Sequence, residues 1–114
     1  MSVIIYHNPR CSKSRQALTL LEQEGIQPVV IEYLKTPPSA AELDRILTAL
    51  GRQPEELLRK GEDEYKEHFK DKSLSRAEMI ALMVKHPKVI ERPIVVNGDK
   101  VALGRPPEDV LEVI

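Results

Sequence analysis

One cysteine, Cys11, stands in the stretch His7-Asn8-Pro9-Arg10-Cys11-Ser12-Lys13-Ser14-Arg15. Before it, Val3-Ile4-Ile5-Tyr6 is an apolar, β-branched run with the character of a strand. After it, Ala17, Leu18, Leu20 and Leu21 fit one face of a helix that Gly25 terminates. Cys11 is therefore expected at a strand-to-helix turn, beside the positive end of a helix dipole and among Arg10, Lys13 and Arg15. Each of these favours thiolate over thiol. An ordinary cysteine has a pKa of about 8.5, and lowering it by about two units needs about 2.7 kcal/mol of differential stabilisation. A helix N-terminus with one or two cations can supply that. A free cysteine more commonly serves as a small buried hydrophobe. That description would suit a cysteine inside residues 17–21, but not one flanked by Arg, Ser, Lys, Ser and Arg.

Cys11-Ser12-Lys13-Ser14 is a C-x-x-S tetrapeptide, a C-x-x-C pair without its second thiol. The phosphatase-type spacing, which places an arginine six positions after the cysteine, is absent because Ala17 occupies that position. Three arginines stand at element junctions: Arg59 after Leu57-Leu58, Arg92 before Pro93, and Arg105 before Pro106-Pro107. Two fates are open to them, solvated surface charge or convergence into a bidentate cradle for an oxyanion. His7 is open to two as well, a partner for the thiolate or a histidine at a strand end. His68 and His86 have no metal-ligand spacing, so no metal is expected. Glu62, Asp63, Glu64 and Glu67 are expected on a solvated face.

The elements that must position these residues follow in order. Val29–Tyr33 is expected as a second strand. Ser39-Ala40-Ala41-Glu42 is a capping-box pattern ahead of Leu43, Ile46, Leu47 and Leu50, with Gly51 as the stop. Pro54 opens a short helix through Leu57 and Leu58. A charged segment, 61–72, carries Tyr65 and Phe69 at helical spacing, and Ser75-Arg76-Ala77-Glu78 is a second capping box before Met79, Ile80, Leu82 and Met83. Asn97-Gly98 between Ile94-Val95-Val96 and Lys100-Val101-Ala102-Leu103 predicts a hairpin with a type I′ turn. Pro106-Pro107 starts a terminal helix with Val110, Leu111 and Ile114 on its apolar face. A βαβ unit and a ββα unit, with the cysteine at the first strand-to-helix turn, describe a thioredoxin-like α/β fold with a mixed four-stranded sheet. Residues 1–114 are expected to form one such domain, with a helical insertion over about 39–90.

The chain has 114 residues and a formal net charge of −1, which gives no sign of a nucleic-acid or membrane-surface binder. No apolar run approaches the roughly 18 residues of a membrane span. The first strand follows Met1-Ser2 directly, so no signal peptide is expected. A single cysteine favours a cytoplasmic, reducing compartment and requires any thiol cycle to take its second thiol from outside.

Tyr6-His7-Asn8-Pro9 with Cys11 and Ser14-Arg15 resembles the active-site loop of the glutaredoxin-dependent arsenate reductases. Leu57-Leu58-Arg59-Lys60, Arg92-Pro93-Ile94-Val95-Val96 and Arg105-Pro106 are similar to that family's later motifs, in the same order. Ser12-Lys13 after the cysteine, and an end at Ile114, match a shorter branch of it. The resemblance implies a thioredoxin-like fold in which Cys11 attacks arsenate and Arg59, Arg92 and Arg105 hold the oxyanion. It also places His7, Ser14 and Arg15 around the thiolate and a cis bond at Arg92–Pro93. Glutathione is the implied co-substrate and glutaredoxin the partner, with no bound cofactor and a monomeric chain. Two other functions are compatible with the residues: a glutathione-dependent monothiol transferase, and a non-enzymatic RNA-polymerase-binding regulator of the same fold. Members of the latter group typically carry C-x-x-C, and Ser14 argues against that version here.

Overall fold

Four short strands form one mixed sheet in the computed structural model, which describes residues 2–114. The strand order is β2-β1-β3-β4, with β1 (Val3–His7), β2 (Val29–Glu32), β3 (Ile94–Asn97) and β4 (Lys100–Leu103). β1 pairs parallel with β2, through Tyr6 opposite Ile31, and antiparallel with β3, through Ile5 opposite Val95. β3 and β4 form the hairpin. The parallel pair needs a crossover, and α1 (Ser12–Gln23) provides it. This is the thioredoxin-like α/β arrangement. The described residues divide into two compact units, a sheet unit of residues 2–36 with Arg92–Ile114 and a helical unit, Pro37–Glu91.

In the sheet unit the continuous apolar runs of β1 and β3 meet the inward stripe of α1. Ile5, Ala17, Leu21, Val95, Ala102, Val110 and Val113 form one buried cluster, with Val3, Leu18 and Ile26 packed against it. Of the strands, the central β1 and β3 are the most buried, whereas Val29 and Val30 on the edge strand β2 are nearly half exposed. Gly25 follows α1 with φ +78, the left-handed value that favours glycine after a helix.

Two expectations for this unit change in detail. Asn97 pairs with Lys100, so the hairpin loop is Gly98-Asp99 rather than Asn97-Gly98. Gly98 has φ +61 and Asp99 is not among the positive-φ residues, the pattern of a type II′ turn rather than I′. The terminal helix is a 3₁₀ helix over Pro107–Val113. Its period of three turns Val110 and Val113 inward and leaves Leu111 and Ile114 exposed, so the apolar face differs from the α-helical one expected.

The helical unit contains α2 (Ala40–Leu50), a 3₁₀ turn at Pro54–Leu57, α3 (Asp63–His68) and α4 (Arg76–Lys85). Leu43, Ile46 and Leu47 of α2 and Met79, Ile80 and Met83 of α4 are buried. At Ser75 both arms of the capping box form: the Ser75 hydroxyl accepts from the Glu78 N–H and Glu78 accepts from the Ser75 N–H. Ser39 caps α2 through the Glu42 N–H, but Glu42 turns to Arg45 instead of closing the box. α3 buries no residue, and its Tyr65 ring stacks on Phe69 with centroids 6.0 Å apart. His68 and His86, unrelated by spacing in the sequence, stack with ring centroids 4.1 Å apart.

Candidate active site

Cys11 is the N-cap of α1 and is partly exposed. The strand-to-helix passage is built by a turn in which the Asn8 carbonyl accepts the Cys11 N–H at 3.0 Å. Pro9 fits the second position of that turn because its φ is preset, and it occupies a place where no N–H is required. The helix begins immediately after it, so the unpaired N–H groups of its first turn lie next to the thiol.

Burial pushes the Cys11 thiol up. The Ser14 N–H, the Arg92 guanidinium and the Lys13 N–H outweigh it, and the net result is a pKa below the ordinary thiol value. Neither N–H closes a full capping hydrogen bond to Sγ, so their contribution is the field of the helix end. Arg92 acts both as a donor and as a positive charge. Arg105 Nη2 stands 3.9 Å from Sγ, at the outer limit of an N–H···S contact, and Arg92 has the larger influence on ionisation. Lys13 contributes through its backbone at the start of the helix. Its signal in the sequence is its position rather than its ammonium group.

The two arginines are coupled through the backbone. Arg105 Nε donates to the Arg92 carbonyl at 2.9 Å. The Arg92–Pro93 bond is cis, as expected, and Arg105–Pro106 is cis as well, which the sequence did not reveal. The Gly104 N–H donates to the Pro93 carbonyl at 2.9 Å. A Cβ at Gly104 would lie 2.7 Å from Pro93 Cγ and 3.1 Å from Val110 Cγ1, so only glycine fits this approach. Arg92 Nε is buried and has no hydrogen-bond partner among the described residues.

The other expected residues sit in less direct positions. His7 is buried and its Nδ1 lies 2.6 Å from Ser14 Oγ. Burial holds its pKa below 6.5, with Glu32 opposing and Arg15 reinforcing the shift. His7 is therefore neutral near pH 7 and engages the Ser14 hydroxyl, so it does not serve as a cation for the thiolate. The Ser14 hydroxyl is turned to His7 and Asn8, and it is the Ser14 backbone that faces Cys11. The Arg15 guanidinium donates to the Pro9 carbonyl at 2.9 Å and braces the loop. Arg59 belongs to the helical unit, where Glu62 lies 3.1 Å from its Nη1 and Glu91 lies 3.5 Å from its Nε. Asn8, buried in the cysteine turn, was missed as a site residue, although an Asn before a Pro is itself a turn signal.

A sequence model described as the ArsC family matches residues 6–113. The chain belongs to the ArsC family. Among its relatives, the arsenate reductase of Haemophilus influenzae is 49% identical over 116 residues, covering 100% of both chains. The uncharacterized protein YfgD of Escherichia coli K12 is 53% identical over 114 residues, covering 98% of this chain and 96% of that one. The solved structure of an arsenate reductase from Vibrio cholerae has a TM-score of 0.93 and 52% identity, over 100% of this chain and 98% of that chain. In this ArsC-family chain, Cys11, Arg92 and Arg105 come together within the sheet unit. Among the described residues no group of three or more His, Cys, Asp or Glu side chains is placed to hold a metal, and no helix is long and apolar enough to cross a membrane.

Proposed function

We propose that this chain reduces arsenate to arsenite, with Cys11 as the nucleophile and glutathione and glutaredoxin as the external thiols. The observation that carries the reading is the meeting of a thiol of lowered pKa with two guanidiniums, Arg92 and Arg105, at a helix N-terminus. The buried, unpartnered Arg92 Nε adds a donor suited to an oxyanion. The names of the Haemophilus influenzae and Vibrio cholerae relatives support arsenate as that oxyanion.

Arsenate is a dianion near neutral pH, and the guanidiniums offset its repulsion from the thiolate. The Cys11 sulfur forms a bond to arsenic and one arsenic–oxygen bond breaks, the oxygen leaving as water after protonation. Glutathione thiolate then attacks this adduct. The two sulfurs leave joined as a mixed disulfide, and their two electrons convert As(V) to As(III), released as arsenite. Glutaredoxin removes the glutathione from Cys11 by thiol–disulfide exchange and restores the thiol. An external thiol is required because these 114 residues hold one cysteine. Arg59 enters the reading through the family pattern alone, as a third oxyanion ligand.

The deciding experiment measures arsenite formed from arsenate with glutathione and glutaredoxin present, beside thiol exchange on a glutathionylated substrate. Arsenite production that needs both external thiols is expected. Exchange without arsenite production makes the chain a monothiol transferase instead. In the same assay Arg59→Lys is expected to raise KM for arsenate, and an unchanged KM removes Arg59 from the reading.

A further inference from the structure

The turn that presents Cys11 is held by a residue the proposed chemistry does not use. Asn8 is only 7% exposed, although its side chain is a polar amide. Its carbonyl closes the β-turn on the Cys11 N–H. Its side-chain Oδ1 accepts the Arg10 N–H at 3.0 Å, an Asx turn nested inside the β-turn. Its own N–H donates to Ser14 Oγ at 3.0 Å, and that same oxygen meets His7 Nδ1. One residue thus fastens the turn internally and ties it to the first turn of α1. Cys11 leaves the turn with φ −95 and ψ 122, and that geometry sets which groups its sulfur faces.

We propose that Asn8 is a positioning residue for the reactive thiol: its side-chain oxygen fixes the turn from which Cys11 Sγ is presented to the N–H groups of Lys13 and Ser14 and to Arg92. This rests on Cys11 being the reactive thiol of the reading above. In Asn8→Ala the Arg10 N–H loses its acceptor and the turn can relax. Asn8→Ser keeps a shorter side-chain oxygen that makes the same kind of turn more weakly.

The test is the rate of Cys11 alkylation by iodoacetamide against pH for wild type, Asn8→Ala and Asn8→Ser, without arsenate, with thermal melts alongside. The charges facing the thiol, Arg92 and Arg105, and those flanking it, Arg10, Lys13 and Arg15, are the same in all three, as is His7 behind Ser14. A displaced profile therefore reports geometry. Asn8→Ala is expected to lower the rate at pH 6.5 by about threefold, equivalent to about half a pKa unit, with the rate above the thiol's titration unchanged. Asn8→Ser is expected to lose less. An Asn8→Ala profile that superimposes on wild type overturns the proposal, even if the melting temperature falls. Equal displacement in both variants overturns it too. If Asn8→Ala does not fold, Asn8→Ser alone decides, and a wild-type profile in it is the overturning result. A wild-type thiol that titrates at the ordinary value defeats the thiolate reading itself, an outcome separate from the variants.

Discussion

The two units of this chain use arginine in opposite ways. In the helical unit Arg59 lies between two carboxylates, Glu62 and Glu91, and Arg76 is paired with Asp44 at 2.9 Å. In the sheet unit Arg92 and Arg105 are turned toward a thiol, and Arg92 keeps a buried donor without a partner. A guanidinium matched by a carboxylate contributes a modest ion pair. One turned to a thiol that ionises changes the reactivity of a nucleophile. The lesson is that arginine content says little about where chemistry lies, whereas the partner of each arginine says a great deal.

The sharpest way to break this contrast is Cys11→Ser. Arsenite production should fall to background while the far-UV spectrum and melting profile stay close to wild type, because serine is well accepted at a turn and helix start. Residual activity well above background would move the chemistry away from Cys11. Next come Arg92→Lys and Arg105→Lys, which keep the charge and lose the fork. Each removes a charge-assisted bond of about 1.5–3 kcal/mol, so kcat/KM should fall about 10- to 150-fold. Of the two, Arg92→Lys should displace the alkylation profile of Cys11 upward further, and the reverse order would make Arg105 the stronger influence on the thiol.

Smaller effects test stability. Gly104→Ala forces a Cβ against Pro93 and Val110 and should destabilise by about 1–3 kcal/mol in urea unfolding. Ser75→Ala removes a complete capping box from the helical unit and should cost about 1 kcal/mol. A neutral result for either contradicts the packing or capping described. Last is pH. His7 is held below 6.5 chiefly by burial, so between 6.5 and its folded value the unfolded chain binds more protons. Its contribution is therefore undiminished above pH 6.5 and falls away on acidification. His7→Gln should remove part of that slope. His86, lowered by burial and by the neighbouring His68 and Lys85, adds to it in the same direction.

Much of this was legible in the residues, and the gaps have physical causes. The order of elements, the Ser75 capping box and the thiol at the start of a helix all follow from local signals. The hairpin was legible too, but its turn moved by one residue. Both Asn97-Gly98 and Gly98-Asp99 suit tight turns, and the choice rests on distant partners: Val3 opposite Asn97 in the sheet and the Asn97 amide donating to the Val113 carbonyl at 2.6 Å. The terminal helix kept its place but changed its winding, and with it the identity of the buried residues. His7 looked like a potential cation because the burial that neutralises it comes from the tertiary fold. Arg92 and Arg105 were visible as arginines before prolines. Their convergence on Cys11 was not visible in spacing, which favoured a solvated fate, and only the family resemblance implied it.

The sheet unit is discontinuous in the chain: β1 and α1 come first, and β3, β4 and the closing 3₁₀ helix come last. On a ribosome adding about 5–20 residues per second, β1 therefore waits several seconds for its antiparallel neighbour. The helical unit is continuous and has all its residues in hand sooner. Until Arg92 and Arg105 have been made, Cys11 is a thiol without its guanidiniums. The nucleophile thus precedes both of its guanidiniums in the chain, and a polypeptide that stops short of Arg92 carries the cysteine with the helix start alone to favour its thiolate.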